Sequence, residues 1–399
     1  MRRHAGIVTI VAMSIASAAL AGSLWARQAG QAAPAKPAGR QGPPTQAELA
    51  QKTAGEVFKN IKVLQDVPAY KLLDGMSYIT NALGVRCEFC HNTRDFASDQ
   101  KRTKRTARHM MQMLFAINKD NFNGRPAVSC YTCHQGHHEP LPAPLPMETA
   151  APAPMAAPAP LMPRAEPFEP PAGTAIPTLD QILAKYTDAL GGQQALAAVH
   201  SREVEIQRSG GRENEHPMTE TVYEKSPNKS LIIGHFRQFT FRVGYNGKEV
   251  WEGSPRGARI LQGMEALMAS REAVLNPVEA LDAYTGKRLV AMAKIGDQET
   301  YVVTGLAPDG LEERFFFDTQ SGLLLRRMIV YRTIFGPLLF EADYSNYQKQ
   351  DGVAIPFKTQ WWAGARGWTD TVESVKTNVP IEDSEFEPPA PGPRPGAPR

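Results

Sequence analysis

Cys87-Glu88-Phe89-Cys90-His91 and Cys130-Tyr131-Thr132-Cys133-His134 are two copies of one pattern, C-x-x-C-H, and they use all four cysteines of the chain. The spacing carries a specific chemistry. Two thiols three residues apart on one helical turn reach the two vinyl groups on one edge of a porphyrin and form thioethers. The histidine, four residues after the first cysteine, lies on the same face, where its imidazole can bind the iron. A zinc site built from two C-x-x-C pairs is the chemical rival, but it leaves both histidines unexplained. The expected cofactor is two covalently attached haem c groups, held by Cys87, Cys90, Cys130 and Cys133, with the irons on His91 and His134.

An iron bound to one histidine needs a second axial partner if it is to serve as an electron carrier; haem enzymes leave that position open. Upstream of the first motif, Leu72, Leu73, Met76, Ile79 and Leu83 recur at helical spacing, and Gly84 marks a stop. Upstream of the second, Met110, Met113, Leu114 and Ile117 do the same over 106–117, with Asn118 as the expected end. These two stretches form an internal repeat of helix, turn and attachment motif. Superposing the helix ends places Met76 on Met110, so both are expected iron ligands. At the second site Met111, Met113, His109, His137 and His138 compete with Met110.

Outward from the motifs, composition divides the chain. Its 399 residues exceed one small domain, and a hydrophobic share of 42% supplies real cores. The net charge of +3 gives no reason to expect nucleic acid. Residues 1–26 begin Met1-Arg2-Arg3-His4 and run apolar from Ala5 to Trp25. They are expected to be either a secretory signal peptide, cut after Ala21 or Ala26, or an uncleaved membrane anchor; either way the body is exported. A tether of Ala, Gly, Gln and Pro spans 27–47, and the haem-bearing domain spans 48–139. Residues 140–177 hold 13 prolines, too many for a helix or a ladder, so a polyproline-like linker is expected there. A domain of short strands follows over 178–390, then a disordered tail, 391–399. Between the haem units lies the basic run Lys101-Arg102-Thr103-Lys104-Arg105-Thr106-Ala107-Arg108, either an internally neutralised helix start or a docking patch for an acidic partner.

Residues 56–140 resemble the cytochrome c subunit of photosynthetic reaction centres. The matching stretches run from Met76-Ser77 through Leu83-Gly84-Val85-Arg86-Cys87-Glu88-Phe89-Cys90-His91-Asn92-Thr93, and over Cys130-Tyr131-Thr132-Cys133-His134-Gln135-Gly136. The resemblance implies a membrane-attached periplasmic electron donor whose covalent haems form a wire, with an axial methionine at the Met76 position. Family members commonly carry four haems, and the two motifs here match the latter pair. In those proteins the last haem takes its sixth ligand from a distant histidine in the half that this chain lacks, so the ligand of the second haem stays open.

The C-terminal domain starts with an amphipathic helix, Leu179, Ile182, Leu183, Tyr186 and Leu190, closed by Gly191-Gly192. Strands are expected at 202–207, 219–224, 230–235, 239–245 and 249–252, then a helical interval at 263–283. Six more follow at 287–294, 299–306, 311–318, 322–332, 338–348 and 357–363, parted by turns such as Asn246-Gly247, Pro308-Asp309-Gly310 and Asp351-Gly352. This domain resembles the periplasmic outer-membrane lipoprotein-sorting carriers at Gly244-Tyr245-Asn246-Gly247-Lys248, Phe316-Phe317-Asp318-Thr319-Gln320-Ser321-Gly322 and Asp351-Gly352-Val353-Ala354-Ile355-Pro356-Phe357. The resemblance implies an apolar cleft for a lipid or lipoprotein ligand, with Met264, Leu267 and Met268 among its contributors; the alternative is that the cleft is filled by its own side chains and the domain is a spacer or docking surface.

The expected fold is therefore multidomain: a mainly α dihaem c-type cytochrome domain, plus an α+β domain with a curved antiparallel sheet, an open barrel, and helices on its concave side. The expected function is periplasmic electron transfer with a redox partner protein or membrane complex, and not enzyme catalysis. The alternatives are a peroxidase-like haem enzyme with one open iron and a lipid or lipoprotein carrier with an accessory haem domain.

Overall fold

The computed structural model describes Leu49 and residues 51–140, 165–210, 218–236, 239–254, 257–272, 274–363 and 366–389. The expected signal or anchor, the tether, most of the linker and the tail lie outside the described residues. Among the described residues no helix is long and apolar enough to cross a membrane.

Between Ala54 and His134 the named elements are helices: α1 Ala54–Val57, α2 Ala69–Leu83, α3 Cys87–Cys90, α4 Arg102–Phe122 and α5 Cys130–His134. Helix α2 ends where its pattern says it should, with Gly84 in the left-handed conformation at φ +63. Helix α4 does not end at Asn118. It continues to Phe122 and is capped by left-handed Asn123. The side chain of Asn118 instead clamps Val128, donating to its carbonyl at 2.8 Å and accepting from its N–H at 2.9 Å. This correction removes the anchor of the repeat superposition: with the true helix ends aligned, Met76 falls on Phe115.

The remaining elements are β1 Glu166–Pro167, α6 Leu179–Ala189, α7 Gln193–Ala197, β2 Ser201–Ser209, β3 Met218–Lys225, β4 Lys229–Phe236, β5 Phe239–Tyr245, β6 Val250–Ser254 and β7 Gly257–Ile260. They continue with α8 Gly263–Glu272, α9 Pro277–Asp282, β8 Thr285–Ile295, β9 Gln298–Leu306, β10 Glu312–Asp318, β11 Leu324–Thr333, β12 Gly336–Gln350, β13 Val353–Ala363 and β14 Arg366–Thr377. The strands form one antiparallel sheet in the order β1-β8-β9-β10-β11-β12-β13-β14-β2-β3-β4-β5-β6-β7. Right-handed twist accumulated over so many strands curves the sheet. The helical interval is broken in two because Asn276 caps a new helix, α9, whose first residue is Pro277. The linker is corrected at its end: Glu166–Pro167 pair with Lys294 and Ala293 at the sheet edge, the place where proline's missing N–H costs least.

Strand alternation assigns each face. Phe315 and Phe317 bury on the inner face with Ile182 and Tyr186 of α6, while Phe316 between them packs outward with Ala293 and Val302. Further along the inner face, Val204, Val222, Ile232 and Val243 receive Ala269 of α8. The third inner-face cluster joins the two halves of the protein. Leu72 and Ile79 of α2 and Leu114 of α4 share one core with Met264, Leu267 and Met268 of α8, and with Ile329, Phe335, Phe340 and Trp361 of the sheet. The three residues expected to line a ligand cleft are thus covered by the N-terminal helices of the same chain.

Candidate functional site

Each C-x-x-C-H sits on one short helical turn. In α3 the extended Arg86 leads into Cys87, and the backbone N–H of His91 donates to Cys87 O at 2.8 Å, which closes the turn. In α5 Ser129 caps the turn through a reciprocal capping box with Thr132, and left-handed Gln135 and Gly136 end it. Both histidines then make the same second bond. His91 Nδ1 lies 3.2 Å from Phe96 O, and His134 Nδ1 lies 2.9 Å from His137 O. A carbonyl can only accept, so Nδ1 carries the proton and Nε2 keeps its lone pair. Burial also holds the His91 imidazole below its ordinary range, favouring the neutral form that binds metal.

The two C-x-x-C pairs do not converge on one zinc-type site. All four are unpaired. Burial pushes the Cys130 thiol up to about 11 and raises Cys90 as well, so both are neutral thiols with no group bound. Among the described residues no three His, Cys, Asp or Glu side chains gather as a metal cluster.

Helix α2 has two apolar faces. Leu72, Gly75 and Ile79 are buried, whereas Leu73 is 50% exposed and shares its side of the helix with the half-buried Met76 and Leu83. Of the eleven exposed large hydrophobic residues among the described residues, seven lie from Leu73 to Tyr131, a concentration that fits surface covered by an apolar macrocycle. Met110 and Met113 belong to this set at 41% and 47% exposure. Met111 is buried in the core, which accounts for it as packing. The His138 ring lies 5.6 Å from Phe89, edge-on, and links the end of the second unit to the first attachment helix.

The helices pack in a crossed fashion. Helix α3 lies against the start of α4, where Thr103 Oγ1 donates to Phe89 O at 2.5 Å and Lys101 donates to Glu88 O. The end of α5 lies against α2: Gly136 N donates to Ala82 O at 2.9 Å, and a Cβ on Gly84 would fall 2.0 Å from Gly136 O. Segments in such contact cannot admit a porphyrin between them.

Most of the basic run is spent on the chain's own loop. Lys104, buried, donates to the carbonyls of Phe96, Ala97 and Ser98 at 2.7, 3.1 and 2.9 Å and pairs with Asp99. Arg105 donates to Asp99 O, and Arg108 to Asp99 Oδ1 and Asn60 O. These bonds support the structural reading of the run over a docking patch. Phe96 O is therefore shared by His91 and Lys104, a link that sequence spacing did not reveal. Asp74, Tyr331 and Phe335 were also missed. Their one local signal was Gly75 in the middle of a good helix, a mark of close backbone approach.

Residues 26–164 match the family described as photosynthetic reaction centre cytochrome C subunit. Cytochrome c-554 of Chloroflexus aurantiacus is 37% identical over 82 residues, 19% of this chain and 20% of that protein. The photosynthetic reaction center cytochrome c subunit of Thermochromatium tepidum is 33% identical over 91 residues, 22% of each chain. This chain thus spans about a fifth of the length of these relatives. A LolA superfamily protein from Nitrosomonas europaea aligns in structure over 53% of this chain and 98% of its own, at 15% identity and a TM-score of 0.39. A putative outer membrane lipoprotein-sorting protein domain from Vibrio parahaemolyticus covers 52% and 94%, at 11% identity and a TM-score of 0.37.

Proposed function

We propose that this chain is an exported c-type cytochrome that carries electrons on two haems. The observation that carries the reading is the repeated arrangement of His91 and His134, each with Nδ1 committed to a downstream carbonyl and Nε2 left as a ligand. Cys87 and Cys90 would hold one haem, and Cys130 and Cys133 the other. Bound there, haem c supplies reversible one-electron storage.

The chain's own residues set how that storage behaves. With α3 against α4 and α5 against α2, one macrocycle would lie between α2 and α3 and the other between α4 and α5. In that arrangement Met76 would complete the first iron, and Met110 or Met113 the second. Thioether ligation favours the ferrous state and raises the potential. The electron-carrier reading includes a redox partner protein or membrane complex and an extracytoplasmic location, in keeping with the basic, then apolar, N-terminus. A lipid or lipoprotein ligand is not part of it, because Met264, Leu267 and Met268 are covered by α2 and α4.

A redox titration of the exported protein with optical spectra tests the reading. Two haems per chain should survive acid–acetone extraction, and both should be low-spin. One high-spin iron would favour the haem enzyme with an open position. A mature protein that holds zinc and no haem would refute the proposal.

A further inference from the structure

The turn between β11 and β12 reaches out of the sheet and into the haem-bearing helices. Phe335, at the tip, is 2% exposed. Its ring lies between Tyr78 of α2, at 6.5 Å and 28°, and Phe115 of α4, at 5.9 Å and 11°. On one side of it, Ile334 meets α2 at Gly75: a Cβ there would fall 2.8 Å from Ile334 Cδ1 and 3.1 Å from Phe335 Cε2. On the other side, Gly336 lies so close to the second attachment unit that its own Cβ would meet Ser129 Cβ and the Tyr78 hydroxyl, each at 3.1 Å. Three consecutive residues of one turn therefore touch α2, α4 and the cap of α5.

A second bond fixes α2 along its length. The Asp74 carboxylate, buried in α2, accepts from the Tyr331 hydroxyl on β11 and from Met264 N at the start of α8, the latter at 3.4 Å. Wedge and latch both act on residues adjoining Met76. They hold the buried face of α2 to the sheet, with Met76 and Leu83 half-buried at the margin of that core and Leu73 exposed beside them.

We propose that the β domain is the positioning element of the cytochrome, and that Phe335 is the wedge that sets the rotation and spacing of α2 against α4. The inference rests on the electron-carrier reading and gives the sheet a role within it. A thioether is a weak ligand, so its bond to iron depends on how firmly the helix that presents it is held. A 15-residue helix has little stability of its own and takes its position from the surface on which it packs. Here that surface is α8 and the β11–β12 turn. The apolar inner face of the sheet, at this end, has a segment of its own chain as its occupant.

The test uses the haem-loaded full chain. Phe335→Ala should keep two covalent haems and the native far-UV spectrum, but lose the methionine-to-iron charge-transfer band of the first haem and lower its potential. Phe335→Leu, which refills most of the space, should restore both. Leu231→Ala is the control, since Leu231 is buried on the opposite face of the sheet with Trp251 and Phe386. It should lower stability and leave band and potential at the wild-type values. A Phe335→Ala protein with unchanged band and potential would overturn the proposal, as would an equal effect from Leu231→Ala. If Phe335→Ala does not fold, hydrogen exchange on the wild-type chain decides. Amides of α2 should open together with those of β11 and β12, and independent opening of α2 refutes the wedge. A wild-type chain without haem would end the electron-carrier reading, while exchange at α2 would still decide the wedge.

Discussion

Gly84→Ala should cost the haem-loaded protein about 2–3 kcal/mol, in two separable parts. Gly84 ends α2 at φ +63, a conformation that costs an L-residue about 1 kcal/mol. The second part comes from contact. The new Cβ would lie 2.0 Å from Gly136 O, where real Cβ atoms keep at least 3.0 Å, so the two segments must part by about 1 Å. The hydrogen bond from Gly136 N to Ala82 O, now 2.9 Å, would then be lost, and the Ala82 carbonyl left without it belongs to a buried residue. That loss is worth about 1–2 kcal/mol. Gly124→Ala isolates the first part, because Gly124 is also left-handed, at φ +74, with nothing within 4 Å of its Cβ position. Guanidinium unfolding, followed by far-UV and Soret ellipticity, should show a lower midpoint for both variants at unchanged slope, with the larger drop for Gly84→Ala. Equal losses would mean that the approach of α5 to α2 is not as close as described, and the crossed packing of the haem units would fall with it.

Three further outcomes are expected. Met76→Ala should turn the first haem high-spin, and Met76→His should keep it low-spin at a lower potential; a Met76→Ala protein with spectrum and potential unmoved would make Met76 core packing, and the same substitutions at Met110 and Met113 assign the second site. Lys104→Met removes an ammonium from Phe96 O, which strengthens that carbonyl as acceptor for His91 and withdraws a positive charge. Both effects should lower the first haem's potential and leave the second unmoved, as read by titration. Glu252, buried beside Arg259, has its carboxyl pushed up to about 7 by burial. A folded-state value above the unfolded 4.5 adds stability that is present below pH 4.5 and lost as pH rises through 7. The unfolding midpoint should fall across that window more in the wild type than in Glu252→Gln, and parallel profiles would refute the assignment.

What the sequence determined alone is what lies within one turn or one hairpin. C-x-x-C-H is a pattern within one turn, so the expected attachment sites Cys87, Cys90, His91, Cys130, Cys133 and His134 were read from spacing alone, and the structure places each motif at a short helical turn. Gly84 ends α2 because only a left-handed residue fits there, and Asn246-Gly247 and Asp351-Gly352 turn the chain for the same local reason. Alternation gave most strands from β2 to β13, since it depends only on which face is buried. Asn118 shows where local reading fails: asparagine near a helix end suggests a cap, and only the fold reveals Val128 beside it. Likewise no pattern joins Asp74 to Tyr331, Lys104 to the carbonyl that His91 also uses, or Phe335 to both Tyr78 and Phe115. Asp74 and Tyr331 are 257 residues apart, a separation at which pairing depends on how the sheet curves and which helix reaches it. The sequence therefore specified where haem attachment is expected, while the tertiary structure decided what holds the neighbouring helices in place. Attachment chemistry is local to a turn, but the position of a helix is a property of the surface that buries it.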